Sequence, residues 1–109
     1  MRKEFHIMNI QELDIDDILY PNELRKTKKP PKKLYVLGNA NILNNQCLSI
    51  VGSRCCTDYG AEIARTFASK ISQRGITIVS GMAKGIDSEA HLGAIEAGGK
   101  TIAVLRFWI

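Results

Sequence analysis

No run of apolar residues in this sequence approaches the roughly 18 that a membrane-spanning helix needs. The opening segment, Met1 to Ile10, alternates polar and apolar side chains around Lys3, Glu4 and His6, so it lacks the continuous apolar stretch of a secretory signal. The expected setting is cytoplasmic, for a soluble chain. Cysteine is scarce as well. Cys47, Cys55 and Cys56 include an adjacent pair but no Cys-x-x-Cys spacing, and His6 and His91 do not stand at zinc-ligand spacing. This pattern argues against a disulfide framework and favours reduced thiols over a metal site, so no metal and no cofactor are expected. Also absent are an internal repeat, a G-x-G-x-x-G fingerprint and a Walker motif, which removes the standard dinucleotide and nucleoside-triphosphate signatures.

What is present begins with charge. Fifteen Lys and Arg against 11 Asp and Glu leave a net charge of +4, a mild tilt toward anionic partners. Arg25, Lys26, Lys28, Lys29, Lys32 and Lys33 crowd together around Pro30-Pro31. Two prolines within a charge run resist helix, so this strip reads as a solvated, extended linker, with a phosphate-contacting strip as the alternative. The 45% hydrophobic content is enough for a packed core, although a chain of 109 residues has little stability to spare.

Residues 11–19 carry Leu13, Ile15, Ile18 and Leu19 among acids, enough for a short helix or an irregular packed segment, and Tyr20-Pro21 stops any helix there. Leu34 to Leu37 reads as a short strand ended by Gly38-Asn39. A clear rhythm follows. Leu48 to Val51 is an apolar, β-branched run broken by Gly52-Ser53. Thr57 is a plausible N-cap for a helix to about Arg74, with Ile63, Ala64, Phe67, Ala68 and Ile71 on one face and Gly75 as its stop. Ile76 to Val79 is strand-like again, a second helix runs from about Ile86 to Ala97, and Thr101 to Leu105 forms a third strand. Near-continuous apolar strands joined by helical crossovers predict an α/β fold. Its core is a Rossmann-like parallel sheet, a β-α-β-α-β half, with a short N-terminal extension. The expected division is a polar extension and basic linker over 1–33, then a partial core over 34–109.

In such a sheet, ligands bind at the carboxyl ends of the strands. The loops there are Gly52-Ser53-Arg54 and Ser80-Gly81-Met82-Ala83-Lys84-Gly85. Glycine lets backbone approach an anion, serine hydroxyls can donate to phosphate oxygens, and Arg54 and Lys84 supply positive charge. Tight turning alone also accounts for glycines after strands, so spacing leaves anion binding and simple turns both open. Neither loop carries a nucleophile with a base beside it. Asp87 suits a helix cap as well as a role on a substrate, and His91, four residues on, is placed to hydrogen-bond it.

The stretch Ser49-Ile50-Val51-Gly52-Ser53-Arg54 with Thr57-x-Tyr59-Gly60 resembles the opening motif of the DNA-processing protein A family (DprA, also called Smf). Val79 to Asp87 with Ala90-His91-x-Gly93-Ala94 resembles that family's second motif, and Gly98 to Leu105 its following strand. Tyr20-Pro21-x-x-Leu24 and Pro31-x-x-Leu34-Tyr35-x-x-Gly38 resemble the approach to its core, so the likeness runs from residue 20 to 105. It implies an extended Rossmann-like fold that binds single-stranded DNA, without catalysis, and helps load the RecA recombinase during natural transformation, the DNA uptake of competent cells. Carried onto this chain, the phosphate-binding residues are Gly52, Ser53, Arg54, Ser80, Gly81, Lys84 and Gly85. Self-association as a homodimer is implied for the full-length family. After Leu105 the pattern is lost: Arg106-Phe107-Trp108-Ile109 stand where a glycine-rich loop and the rest of the sheet are expected, as in a truncated chain with an exposed apolar end. An alternative is a nucleotide-processing protein related to the phosphoribohydrolases. Their Pro-Gly-Gly-x-Gly-Thr loop and nearby Glu are missing here.

Overall fold

A computed structural model describes residues 10–105; the reading of Met1 to His6 and of Phe107-Trp108-Ile109 falls outside the described residues. The chain passes from one compact unit to a second between Asn44 and Asn45. The boundary expected after residue 33 falls inside the first unit.

In the first unit, β1 (Gln11–Asp14) pairs antiparallel with β2 (Lys33–Val36), with Gln11 opposite Val36 and Asp14 opposite Lys33. The acid-rich segment is therefore a strand and turns, not a helix. Of its first four residues only Leu13 turns inward, and it is fully buried. The strand expected at Leu34 lies in this small sheet, outside the parallel one. A single helical turn, α1 (Asn22–Arg25), follows Tyr20-Pro21. Arg25 is a fastener: its guanidinium donates to Ile15 O and Asp17 O at 2.9 Å each and to Asn22 Oδ1 at 2.7 Å, and lies 5.2 Å over the Tyr20 ring. Tyr20 Oη in turn donates to Pro31 O at 2.6 Å. The basic strip is thus anchored at several points. Lys26 pairs with Glu23, and Lys33 reaches Glu12 and Asp14. Lys28, Lys29 and Lys32 stay exposed, with no ion pair among the described residues.

The second unit follows the predicted order: β3 (Cys47–Ser49), α2 (Asp58–Ser72), β4 (Thr77–Ser80), α3 (Ile86–Glu96) and β5 (Thr101–Ala103). The three strands form one parallel sheet with β4 in the middle, Leu48 opposite Ile78 and Ile78 opposite Thr101. Because the strands advance in one direction, right-handed crossovers put both helices on one face. The core agrees: Ala68 of α2 and Ala90 and Ala94 of α3 meet Ile78, with Ile50 and Ile71 against them. These alanines bring the helices close. At Gly93 any Cβ would run into the carbonyl oxygen of Arg65, so only glycine fits. Thr57 caps α2 as read from the sequence, its Oγ1 accepting from Gly60 N–H at 3.0 Å. Phe67, expected on the inner face, is 57% exposed. The helix turns Ala64, Ala68 and Ser72 inward, at i, i+4 and i+8, and Phe67 lies beside that line.

Candidate functional site

The loops after β3 and β4 are built against each other and against the first turn of α3. Ile86 N–H donates to Ser53 O at 3.3 Å, and the Ser80 hydroxyl donates to Ile50 O at 2.5 Å. Ser80 is 3% exposed, so the proton that sequence reasoning offered to a phosphate is committed inside the sheet. Ser53 Oγ and the backbone of Cys55 close a small turn, at 3.1 Å from Cys55 N and 3.2 Å from Cys55 O.

Three glycines of the predicted site have a packing cause. A Cβ on Gly52 would lie 2.7 Å from Ile86 Cγ1, and one on Gly81 would lie 2.7 Å from Asp87 Oδ2. Gly85 has φ +80°, and a Cβ there would lie 2.5 Å from Ser53 O and 2.7 Å from Arg54 O. Each lets the loops close on α3, where the sequence suggested room for a ligand.

Arg54 and Lys84 differ from the rest. Both are exposed, one on each loop, and neither has an ion pair among the described residues. The helix N-termini add less. Asp58 stands in the first turn of α2, and Asp87 and Glu89 in that of α3. Carboxylates there already satisfy the positive end of each helix dipole. Asp87 is 7% exposed, and its Oδ1 has no hydrogen-bond partner. It is not the cap, since Gly85 holds that position without a side-chain bond. On these two loops, among the described residues, the cationic side chains without an ion pair are Arg54 and Lys84.

His91 was expected to meet Asp87, and it does not. Its Nε2 lies 2.8 Å from Gly81 O and its Nδ1 2.6 Å from Thr101 Oγ1. A carbonyl only accepts, so Nε2 carries the hydrogen and donates to Gly81. Thr101 Oγ1 also lies 3.0 Å from Ile78 O, which ties helix, loop and two strands together. Sequence reasoning missed Thr101, because nothing local marks a strand residue as the partner of a histidine on the preceding helix. Among the described residues neither loop serine meets a base: Ser53 and Ser80 bond backbone, and His91 bonds Gly81 and Thr101. Among the described residues no cluster of three His, Cys, Asp or Glu could hold a metal, and no helix is long and apolar enough to cross a membrane.

Comparison with known proteins gives consistent matches. The sequence model of the family described as DNA recombination-mediator protein A matches residues 11–107. Protein Smf of Escherichia coli (strain K12) is 41% identical over 90 residues, covering 83% of this chain and 24% of Smf. The X-ray structure of DNA processing protein A from Streptococcus pneumoniae is similar with a TM-score of 0.80 at 34% identity, over 95% of this chain and 37% of that one. DNA processing protein A from Helicobacter pylori, whose structure is described as giving insight into a unique single-stranded DNA binding mode, is similar with a TM-score of 0.72 at 33% identity. That likeness covers 88% of this chain and 43% of the other. The chain thus spans between 24% and 43% of the length of these relatives.

Proposed function

This chain belongs to the DNA recombination-mediator protein A family, the DNA-processing proteins called DprA and Smf, and from that premise we propose that it binds single-stranded DNA by its phosphates. The contacts come from the loops at Gly52-Ser53-Arg54 and Ser80 to Gly85. Arg54 and Lys84 meet phosphate oxygens. Gly52, Gly81 and Gly85 let the loops close, Ser53 shapes the first loop, and Ser80 joins it to β4. One observation carries the reading: two exposed cations, without ion pairs among the described residues, stand on two loops that the Ile86–Ser53 hydrogen bond and Gly85 hold against each other. Such contacts read backbone and not bases, which suits a binder indifferent to sequence.

The role is that of a non-catalytic mediator in the cytoplasm. In the whole protein it serves recombination by helping RecA onto the strand, with self-association supplied by the full-length chain. Titration of a labelled oligo-dT at several salt concentrations tests the binding step. Affinity should fall as salt rises, and Arg54→Ala with Lys84→Ala should remove most of it. Unchanged affinity in that double variant overturns the assignment of the site.

A further inference from the structure

Tyr59 has no evident task in the fold. It is the second residue of α2, 74% exposed, in a chain whose fully buried aromatic, Tyr20, shows what a structural tyrosine looks like. Its side chain makes neither a hydrogen bond nor a ring contact among the described residues. An aromatic ring left this exposed forgoes most of the hydrophobic gain that burial would give it.

Its position is specific. The Cα–Cβ bonds of a helix tilt toward its N-terminus, so a residue in the first turn covers the surface just before the helix. The chain just before this helix is Cys55-Cys56-Thr57, which continues directly from the Gly52-Ser53-Arg54 loop. The next residue, Gly60, lies where a Cβ would be 3.3 Å from Thr57 Oγ1 and 3.8 Å from Ile86 Cδ1. Ile86 is also the side chain that fills the space beside Gly52. The first turn of α2 therefore borders the convergent loops, and Tyr59 stands exposed in that turn, five residues after Arg54. Phe67, also exposed, lies two turns farther along α2 and away from them.

We propose that Tyr59 is a stacking platform for one base of the bound strand, placed so that the ring takes a base while Arg54 takes a neighbouring phosphate. This rests on the DNA-binding reading and deepens it: the ligand is then recognised by its base faces as well as by its charge. Every base has a π-face, so the contact tolerates any sequence, and being uncharged it leaves the salt dependence alone.

The test compares oligo-dT with an abasic strand of equal length, which keeps the phosphates and removes the rings, on the wild-type chain and on Tyr59→Ala and Tyr59→Phe. One stacked base is worth roughly 1–3 kcal/mol, so the wild type should prefer oligo-dT by roughly 5- to 150-fold. Tyr59→Ala should erase most of that preference without changing the salt slope, and Tyr59→Phe should keep it. Equal binding of both strands by the wild type, or a preference that survives in Tyr59→Ala, overturns the platform and leaves the phosphate site standing. Failure to bind either strand removes both.

Discussion

His91 and Gly81 are joined by a 2.8 Å hydrogen bond from the imidazole Nε2–H to the backbone carbonyl, so a helix side chain fixes the path of the loop that carries Lys84. With Nδ1 on Thr101 Oγ1, the same ring ties that loop to β5. Removing the ring leaves both partners short of a hydrogen bond at a partly buried site. His91→Ala should cost about 1–3 kcal/mol in chemical denaturation. A change below about 0.5 kcal/mol, the range of ordinary surface substitutions, would show that the ring does not hold the loop.

Gly75 and Gly85 separate two reasons for needing glycine. Gly75 has φ +83° with open space where a Cβ would go, whereas at Gly85, φ +80°, a Cβ would press on Ser53 O and Arg54 O. Gly75→Ala should cost about 1–2 kcal/mol from the left-handed backbone alone. Gly85→Ala should cost more, since the loop must also move, and should weaken DNA binding where Gly75→Ala does not. Equal melting shifts for the two variants would mean that the loop contact at Gly85 is soft.

Arg54→Ala and Lys84→Ala should each flatten the slope of log affinity against log salt by roughly 0.7 and weaken unrelated single strands equally. The control lies in the first unit. Neutralising Lys28, Lys29 and Lys32, exposed and without ion pairs, should lower the slope without changing the effect of Arg54→Ala. Should loss of those three lysines abolish binding while Arg54→Ala leaves affinity and slope intact, the phosphate contacts belong to the strip.

Cys47 donates its thiol to Asn45 O at 3.1 Å, and partial burial pushes its pKa up from the ordinary thiol value. Burial disfavours the thiolate, which is the reactive form, so less of it exists at neutral pH. Mass-resolved alkylation should find Cys47 slower than free cysteine at neutral pH, with its rate still climbing at pH values where free cysteine has levelled off. A Cys47 profile that superimposes on free cysteine would remove the burial effect.

The parallel half of the fold was legible because its strands lie in short apolar, β-branched runs, the first two broken at once by Gly52 and by Ser80-Gly81, and because Thr57 announces a helix whose buried line includes the expected Ala64 and Ala68. β1 was not legible: one inward side chain, Leu13, in four residues makes no pattern, and the strand exists because Lys33 to Val36 pairs with it from across the basic strip. Within the candidate site, the charges of Arg54 and Lys84 could be read directly. The work of Ser80, Gly52 and Gly81 could not, since Ile50, Ile86 and Asp87 are brought to them only by the folded sheet. The Asp87–His91 expectation failed for the same reason. Local spacing offered one partner, and tertiary packing supplied two better-placed ones.

Gly93 lies outside both loops, yet the seam where it meets the Arg65 carbonyl sets how closely α2 and α3 approach. Each helix begins where one loop ends, so that single seam works as a gauge for the span between Arg54 and Lys84. Phosphates along a strand repeat at a fixed interval. If Arg54 and Lys84 hold phosphates as proposed, the frame that carries them favours one spacing of backbone over others. A residue larger than glycine at position 93 would force α2 and α3 apart and so shift the proposed phosphate site without replacing Arg54 or Lys84.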